Sequence, residues 1–170
     1  MVRPDGSAYD NDRRPLPHSE PKMTTAIEVV RDFIGRLDAA LRGGSENLYT
    51  LMDDDVTVWV NGTTPLSGYF RGTNPVRNIL VATAKRRIVS GEVRILDHIS
   101  ETDKTGVFLE IRLRTHGGKI YNAAGDPAGC FFRVRDGRIC EICFYPDTTQ
   151  IETQIYGREF VPNAAAVQPH

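Results

Sequence analysis

Long apolar runs are missing from this chain of 170 residues. None approaches the roughly 20 residues that cross a bilayer as a helix, and the amino-terminal stretch carries no apolar core of the kind found in secretory signals. The expectation is a cytoplasmic protein with no membrane partner. On that reading Asn61-Gly62-Thr63, which matches a glycosylation acceptor, is a chance match. A surplus of either charge is also missing, since the formal net charge is −1. Binding a phosphate backbone needs a basic surplus on one face, so nucleic acid is not expected as a partner. Lys85-Arg86-Arg87 is the one tight basic run, and it reads as a solvated helix end, where cations suit the dipole.

Cysteine is scarce, with three in the chain. Cys140-Glu141-Ile142-Cys143 has C-x-x-C spacing. Redox or zinc chemistry would need a turn or helix start to bring both sulfurs together, whereas in a strand residues three apart face opposite ways. A bond between Cys130 and Cys143 on adjacent strands would be strained, and cytoplasmic thiols stay reduced. No disulfide is expected. The histidines are His18, His98, His116 and His170. Their spacing suggests no metal site, and each is read as facing solvent. A G-x-S-x-G elbow, a P-loop and a dinucleotide fingerprint are all lacking, so no cofactor is implied.

What is present is one domain's worth of chain, 40% apolar and 25% charged, enough for a single substantial core. Residues 1–22 are rich in Pro, Asp, Arg and Ser with no apolar period, and read as a disordered arm. Residues 23–160 form the domain, and 161–170 a tail. A capping box, Thr25 with Glu28, opens the first helix, and Ile27, Val30, Ile34, Leu37 and Leu41 share one face of it. Gly43-Gly44 ends it, and Ser45 caps a short second helix carrying Leu48, Leu51 and Met52. In the following strand Val56, Val58 and Val60 point one way and Thr57, Trp59 and Asn61 the other. Asn74-Pro75 supplies a cap and an N1 proline for a third helix reaching about Arg86, with Val76, Ile79, Leu80 and Thr83 inward. Strand-like runs follow at about 88–99, 105–116, 119–124, 128–135 and 138–146. Helices first and an antiparallel meander after them make an α+β pattern.

Asp136-Gly137 is the strongest hairpin signal in the chain. A two-residue loop makes paired residues sum to 273. That register sets Cys130 opposite Cys143, Phe132 opposite Glu141 and Val134 opposite Ile139.

Several segments together resemble the SnoaL-like branch of the nuclear-transport-factor-2-like superfamily, kin of ketosteroid isomerases, polyketide cyclases and limonene epoxide hydrolase. They are the strand from Asp55 to Asn61, the Pro65-x-x-Gly68 and Arg71-Gly72 turn, the Val134-x-Asp136-Gly137-x-Ile139 hairpin, and Tyr145-x-Asp147 before a last helix. The resemblance covers about residues 24–158. It implies a cystatin-like α+β cone, with helices packed on a curved, mostly antiparallel sheet around an internal cavity. It also implies a small hydrophobic ligand, polyketide-, terpenoid- or steroid-like.

The isomerases' general-base position falls on Val60, and the protonated Asp of their oxyanion hole falls near Gly129, so both carboxyls are missing and that mechanism does not transfer. Against limonene epoxide hydrolase, Asn61 is kept, Trp59 stands where a Tyr is found, and Asp147 matches the Asp at the end of the last strand. Glu110 and Arg112 reverse the order of an Arg-x-Asp pair. The resemblance therefore implies Asp147 as general base, Asn61 orienting water or a substrate oxygen, and Arg112 with Glu110 handling charge. Trp59, Tyr69, Tyr121 and Asn122 would contact the substrate. Each has a plainer reading beside it. Asp147 precedes Thr148-Thr149 and can cap the last helix, Glu110 and Arg112 can form a structural ion pair, and Asn61 can be a turn residue. The competing functional reading is a non-catalytic binding or assembly module of the same fold. A homodimer is expected in either case, formed through a sheet face carrying Phe131, Ile142 and Phe144.

Overall fold

The computed structural model describes residues 24–44 and 47–158. The arm 1–22, the tail 161–170 and the Ser45 cap lie outside the described residues. Helix α1 (Ala26–Leu41) opens on the expected box, with Glu28 Oε2 accepting the Thr25 N–H at 2.8 Å. A single 3-10 turn, Leu48–Leu51, leads into β1 (Met52–Val60). Strand β2 (Gly68–Arg71) pairs back on β1 where the sequence suggested only a turn.

The third helix is continuous but not uniform. It runs as α2 (Thr73–Pro75), a π-helical stretch (Val76–Val81) and α3 (Ala82–Lys85). Gly72, not Asn74, stands at its N-cap. A π turn needs about one residue more than an α turn, which changes the phase of the inward face. Val76 is buried, but Ile79, expected inward, is 54% exposed.

The rest is a meander: β3 (Ile88–Ser100), β4 (Lys104–Thr115), β5 (Ile120–Tyr121), β6 (Pro127–Arg135) and β7 (Arg138–Tyr145). A last helical turn, α4 (Thr148–Gln150), runs into a second π stretch, Ile151–Ile155. The sheet order is β2-β1-β7-β6-β4-β3, with β5 paired to β4. Among the described residues only β1 and β7 run parallel; every other pair is antiparallel.

Helix α1 lies across the inner face of the sheet. Its Asp38 Oδ1 accepts the N–H of Val93 on edge strand β3 at 2.9 Å, occupying a donor that has no neighbouring strand. Val30, Val56, Phe132 and Ile139 are at most 1% exposed and centre the core. Phe33 meets Phe132 edge to face at 5.9 Å, and truncating a ring so placed costs about 3–5 kcal/mol.

The β6–β7 hairpin turns where Asp136-Gly137 places it. Asp136 has φ 51° and Gly137 φ 73°, the left-handed pair that a two-residue turn requires. Val134 pairs with Ile139 as the loop length dictates. One residue later the register slips by a bulge: Arg133 pairs with Glu141, Phe132 with Ile142 and Cys130 with Phe144. The expected Cys130–Cys143 and Phe132–Glu141 pairs are therefore corrected. Cys140 is the extra residue, and a one-residue insertion sends every later side chain to the opposite face. Ile142 and Phe144 turn inward as a result, so of the three residues expected on the outer face only Phe131 is there. All three thiols are free, with Cys130 inside and Cys143 outside.

Candidate functional site

The inner face of the sheet and the helices do not close on one another completely. They leave a cavity of about 690 Å³, within the range usual for small-molecule sites. Its floor is built by alternation: Val58 and Val60 of β1, Leu109 and Ile111 of β4, and the inward pair Ile142 and Phe144 of β7. Leu37 and Leu41 of α1 roof it, which explains why both remain half-exposed although they lie on the inward face of the helix. The π stretch contributes Val76 and Leu80, and α3 adds Ala84. The solvent end is marked by the exposed lining residues Gly44, Lys85, Val89 and His116.

Polar lining is sparse. It comprises the Tyr49 phenol, the Cys130 thiol, Ser90, and Lys85 with His116 at the open end; no Asp or Glu is among the described lining residues. Burial pushes the Tyr49 phenol above its ordinary value, and the Arg77 guanidinium, 4.4 Å from the ring centre, opposes that rise. Burial also pushes the Cys130 thiol up, so it stays protonated. Tyr49 and Cys130 are thus neutral groups, able to donate one hydrogen bond each.

None of the anticipated site residues lines this cavity. Asp147 is exposed and caps α4: its Oδ1 accepts the Gln150 N–H at 3.0 Å and its Oδ2 the Gln150 side-chain amide at 2.9 Å. Trp59 and Tyr69 are partners across the β1–β2 pair on the outer face. Asn61 follows β1 with the same parity as Trp59, and its N–H bonds the Phe144 carbonyl at 2.9 Å. The reason is period 2. Once Val56, Val58 and Val60 take the inner face, Trp59 and Asn61 cannot also reach it.

Glu110 and Arg112 share the outer face of β4 for the same reason, since Leu109 and Ile111 point in. Glu110 Oε2 accepts from Arg94 Nε at 2.9 Å, and its Oε1 lies 2.9 Å from Arg112 Nε. The hydrogen bond from Arg94, helped by the charges of both arginines, holds the Glu110 carboxyl below its usual range despite burial. Gly125 covers the pair, and a Cβ there would stand 2.9 Å from Arg112 Nη2 and 3.1 Å from Glu110 Oε1. A carboxylate so engaged is a structural anion, not a free base.

Tyr121 and Asn122 are buried, Tyr121 in a second apolar cluster with Leu66, Ile151 and Ile155. The Tyr121 hydroxyl accepts the Asp147 N–H at 3.3 Å, and burial pushes its pKa up to about 12. The Asn122 N–H donates to Gln150 Oε1 at 2.7 Å, and its side chain bonds the Ile111 and Asp126 carbonyls. The structure therefore brings Tyr121, Asn122 and Asp147 together around Gln150 as a tether for the last helix. It pairs Glu110 with Arg112 and Trp59 with Tyr69.

Sequence reasoning missed Tyr49, Lys85 and His116. The only signal for Lys85 was its place at the end of an amphipathic helix. Tyr49 and His116 carried none. Among the described residues no group of three His, Cys, Asp or Glu side chains could hold a metal ion, and no helix is long and apolar enough to cross a membrane.

No protein-family model and no curated protein matches the chain. Solved structures do. An NTF2-like protein of unknown function from Burkholderia pseudomallei superposes with a TM-score of 0.66 at 17% identity, over 78% of this chain and 98% of the other. TerC, co-crystallised with polyporic acid, superposes with a TM-score of 0.66 at 18% identity, over 78% and 99%. A protein from Catenulispora acidiphila with a ketosteroid isomerase-like fold, in complex with trimethylamine, gives 0.58 at 18% identity, over 82% and 100%. Identities this low speak to architecture alone, and on that level the chain has the NTF2-like α+β cone fold.

Proposed function

We propose that this chain binds a small, largely apolar molecule inside the cone, and that binding rather than carboxylate-driven turnover is what its cavity is built for. The observation that carries this reading is the lining: about 690 Å³ walled by aliphatic and aromatic side chains, with no Asp or Glu among the described lining residues. Proton abstraction from carbon, or activation of water, needs a base within hydrogen-bond reach of the reacting atom. Asp147 and Glu110 lie outside the cavity and are held by partners. Related folds accept organic molecules, since TerC is co-crystallised with polyporic acid and the Catenulispora protein is in complex with trimethylamine.

The test uses the neutral fluorophore N-phenyl-1-naphthylamine. Saturable one-to-one binding is expected in the native protein, with strong weakening by Val58→Trp, which fills the floor. Binding unchanged in that variant places the probe elsewhere and removes the reading.

The second part of the proposal is a homodimer through the outer sheet face. Register aligns Gly106, Phe131, Cys143, Trp59 and Tyr69 in one row across five strands, with Phe108, Gly129 and Tyr145 in the next. Tyr69 is 67% and Phe108 48% exposed. The flanking row carries Arg133 and Glu141, 3.4 Å apart, so it holds both signs and can meet a second copy of itself. A two-fold interface requires that self-complementarity.

A further inference from the structure

We infer that the cavity takes an amphiphile with an apolar body and one anionic head, the head held at the open end by Lys85 and His116. The inference rests on the ligand-binding reading above and adds the charge of the ligand. Lys85 and His116 line the same cavity as the aliphatic floor, and both are exposed. They come together because α3 ends at Lys85, β3 begins two residues after Arg86, and the His116 N–H bonds the Arg87 carbonyl at 3.0 Å. Several arginines elsewhere are matched to acids, among them Arg36 with Asp32, Arg42 with Asp38, Arg94 with Glu110 and Arg135 with Asp53. Among the described residues neither Lys85 nor His116 makes an ion pair, and no carboxylate stands in the lining to oppose them.

A charge is costly to bury without a partner, so a charged head stays at the wet end and the apolar body fills the interior. A cationic head would meet the Lys85 ammonium there, with no acid among the described lining residues to receive it. A carboxylate or sulfonate meets an ammonium and an imidazole. Of the run Lys85-Arg86-Arg87, read from sequence as a solvated helix end, only Lys85 lines the cavity, and Arg87 lies over the Tyr156 ring at 5.3 Å.

The experiment compares two probes of one skeleton: 8-anilinonaphthalene-1-sulfonate, which is anionic, and N-phenyl-1-naphthylamine, its neutral counterpart. Each is titrated into the native protein, Lys85→Met, His116→Gln and the double variant. The anionic probe is expected to weaken by about fivefold in Lys85→Met and further in the double variant, the size of a partly exposed ion contact. The neutral probe should stay within about twofold throughout, which also shows that the variants fold. Raising salt should weaken the anion alone.

If the two probes shift together, or the anion ignores both substitutions while the neutral probe still binds, the head-group assignment falls and the cavity reading stands. Anion binding that survives Val58→Trp also overturns it, because the probe is then on the surface. If the neutral probe does not bind the native protein, both readings fall.

Discussion

Asp147 gives both of its carboxylate oxygens to Gln150, one to the backbone N–H at 3.0 Å and one to the side-chain amide at 2.9 Å. Gln150 in turn accepts from Asn122 through Oε1 at 2.7 Å. The carboxylate is thus the start of a chain that fastens the last helix to the loop after β5. Asp147→Ala should cost about 1 kcal/mol of stability, the usual value of an N-cap, and should leave binding of the neutral naphthylamine unchanged. Urea denaturation and fluorescence titration check the two halves. A large loss of binding with intact stability would return Asp147 to the functional site.

Glu110 makes a pH prediction with a definite sign. Its carboxyl is held below the ordinary range, chiefly by the hydrogen bond from Arg94. A depressed folded-state pKa stabilises above the unfolded value, about 4.3, and the benefit is lost as pH falls through the folded value. The stability gap between the native protein and Glu110→Gln should therefore be widest near neutral pH and close on acidification. Urea midpoints measured from pH 7 down to pH 3 test this, and a gap that stays constant contradicts it.

Trp59 meets Tyr145 edge to face at 5.4 Å on the outer face of the sheet, beside the exposed Tyr69. Burying such side chains between two copies contributes on the order of 1.5–3 kcal/mol each. Phe131→Asp and Tyr69→Asp should shift a dimer towards monomer at micromolar concentration in sedimentation runs. A native protein that sediments only as monomer removes the interface.

Cys130 lies on the inner face, 6% exposed, with its thiol pushed up by burial. Thiolate is the reactive form. Cys130 should resist an aromatic disulfide reagent in the folded protein and react on unfolding, while Cys140 and Cys143 react earlier. Mass spectrometry of labelled peptides distinguishes them, and early labelling of Cys130 would mean that its burial does not hold the thiol protonated.

Much of the architecture was legible because its signals are local. The Thr25–Glu28 box, the valine alternation of β1 and the Asp136-Gly137 turn each act within a few residues, and each sits where the chain places it. The bulge at Cys140 also left a trace, since Ile139, Ile142 and Phe144 are spaced three and then two apart. The error over Trp59 and Asn61 was avoidable in the same way, for a strand cannot give its valines and their neighbours to one cavity.

The chain by itself thus determined which segments become helices and strands, where the last hairpin turns, and which face of β1 is greasy, because capping, turn geometry and period 2 are short-range. Only the tertiary structure decided that Asp147 caps instead of reaching inward, that Ile79 is turned out by a π stretch, and that Lys85 and His116 line one cavity. Those outcomes depend on how α1, the π stretch and a bulged sheet pack against one another, and such packing sums contacts between residues far apart in sequence.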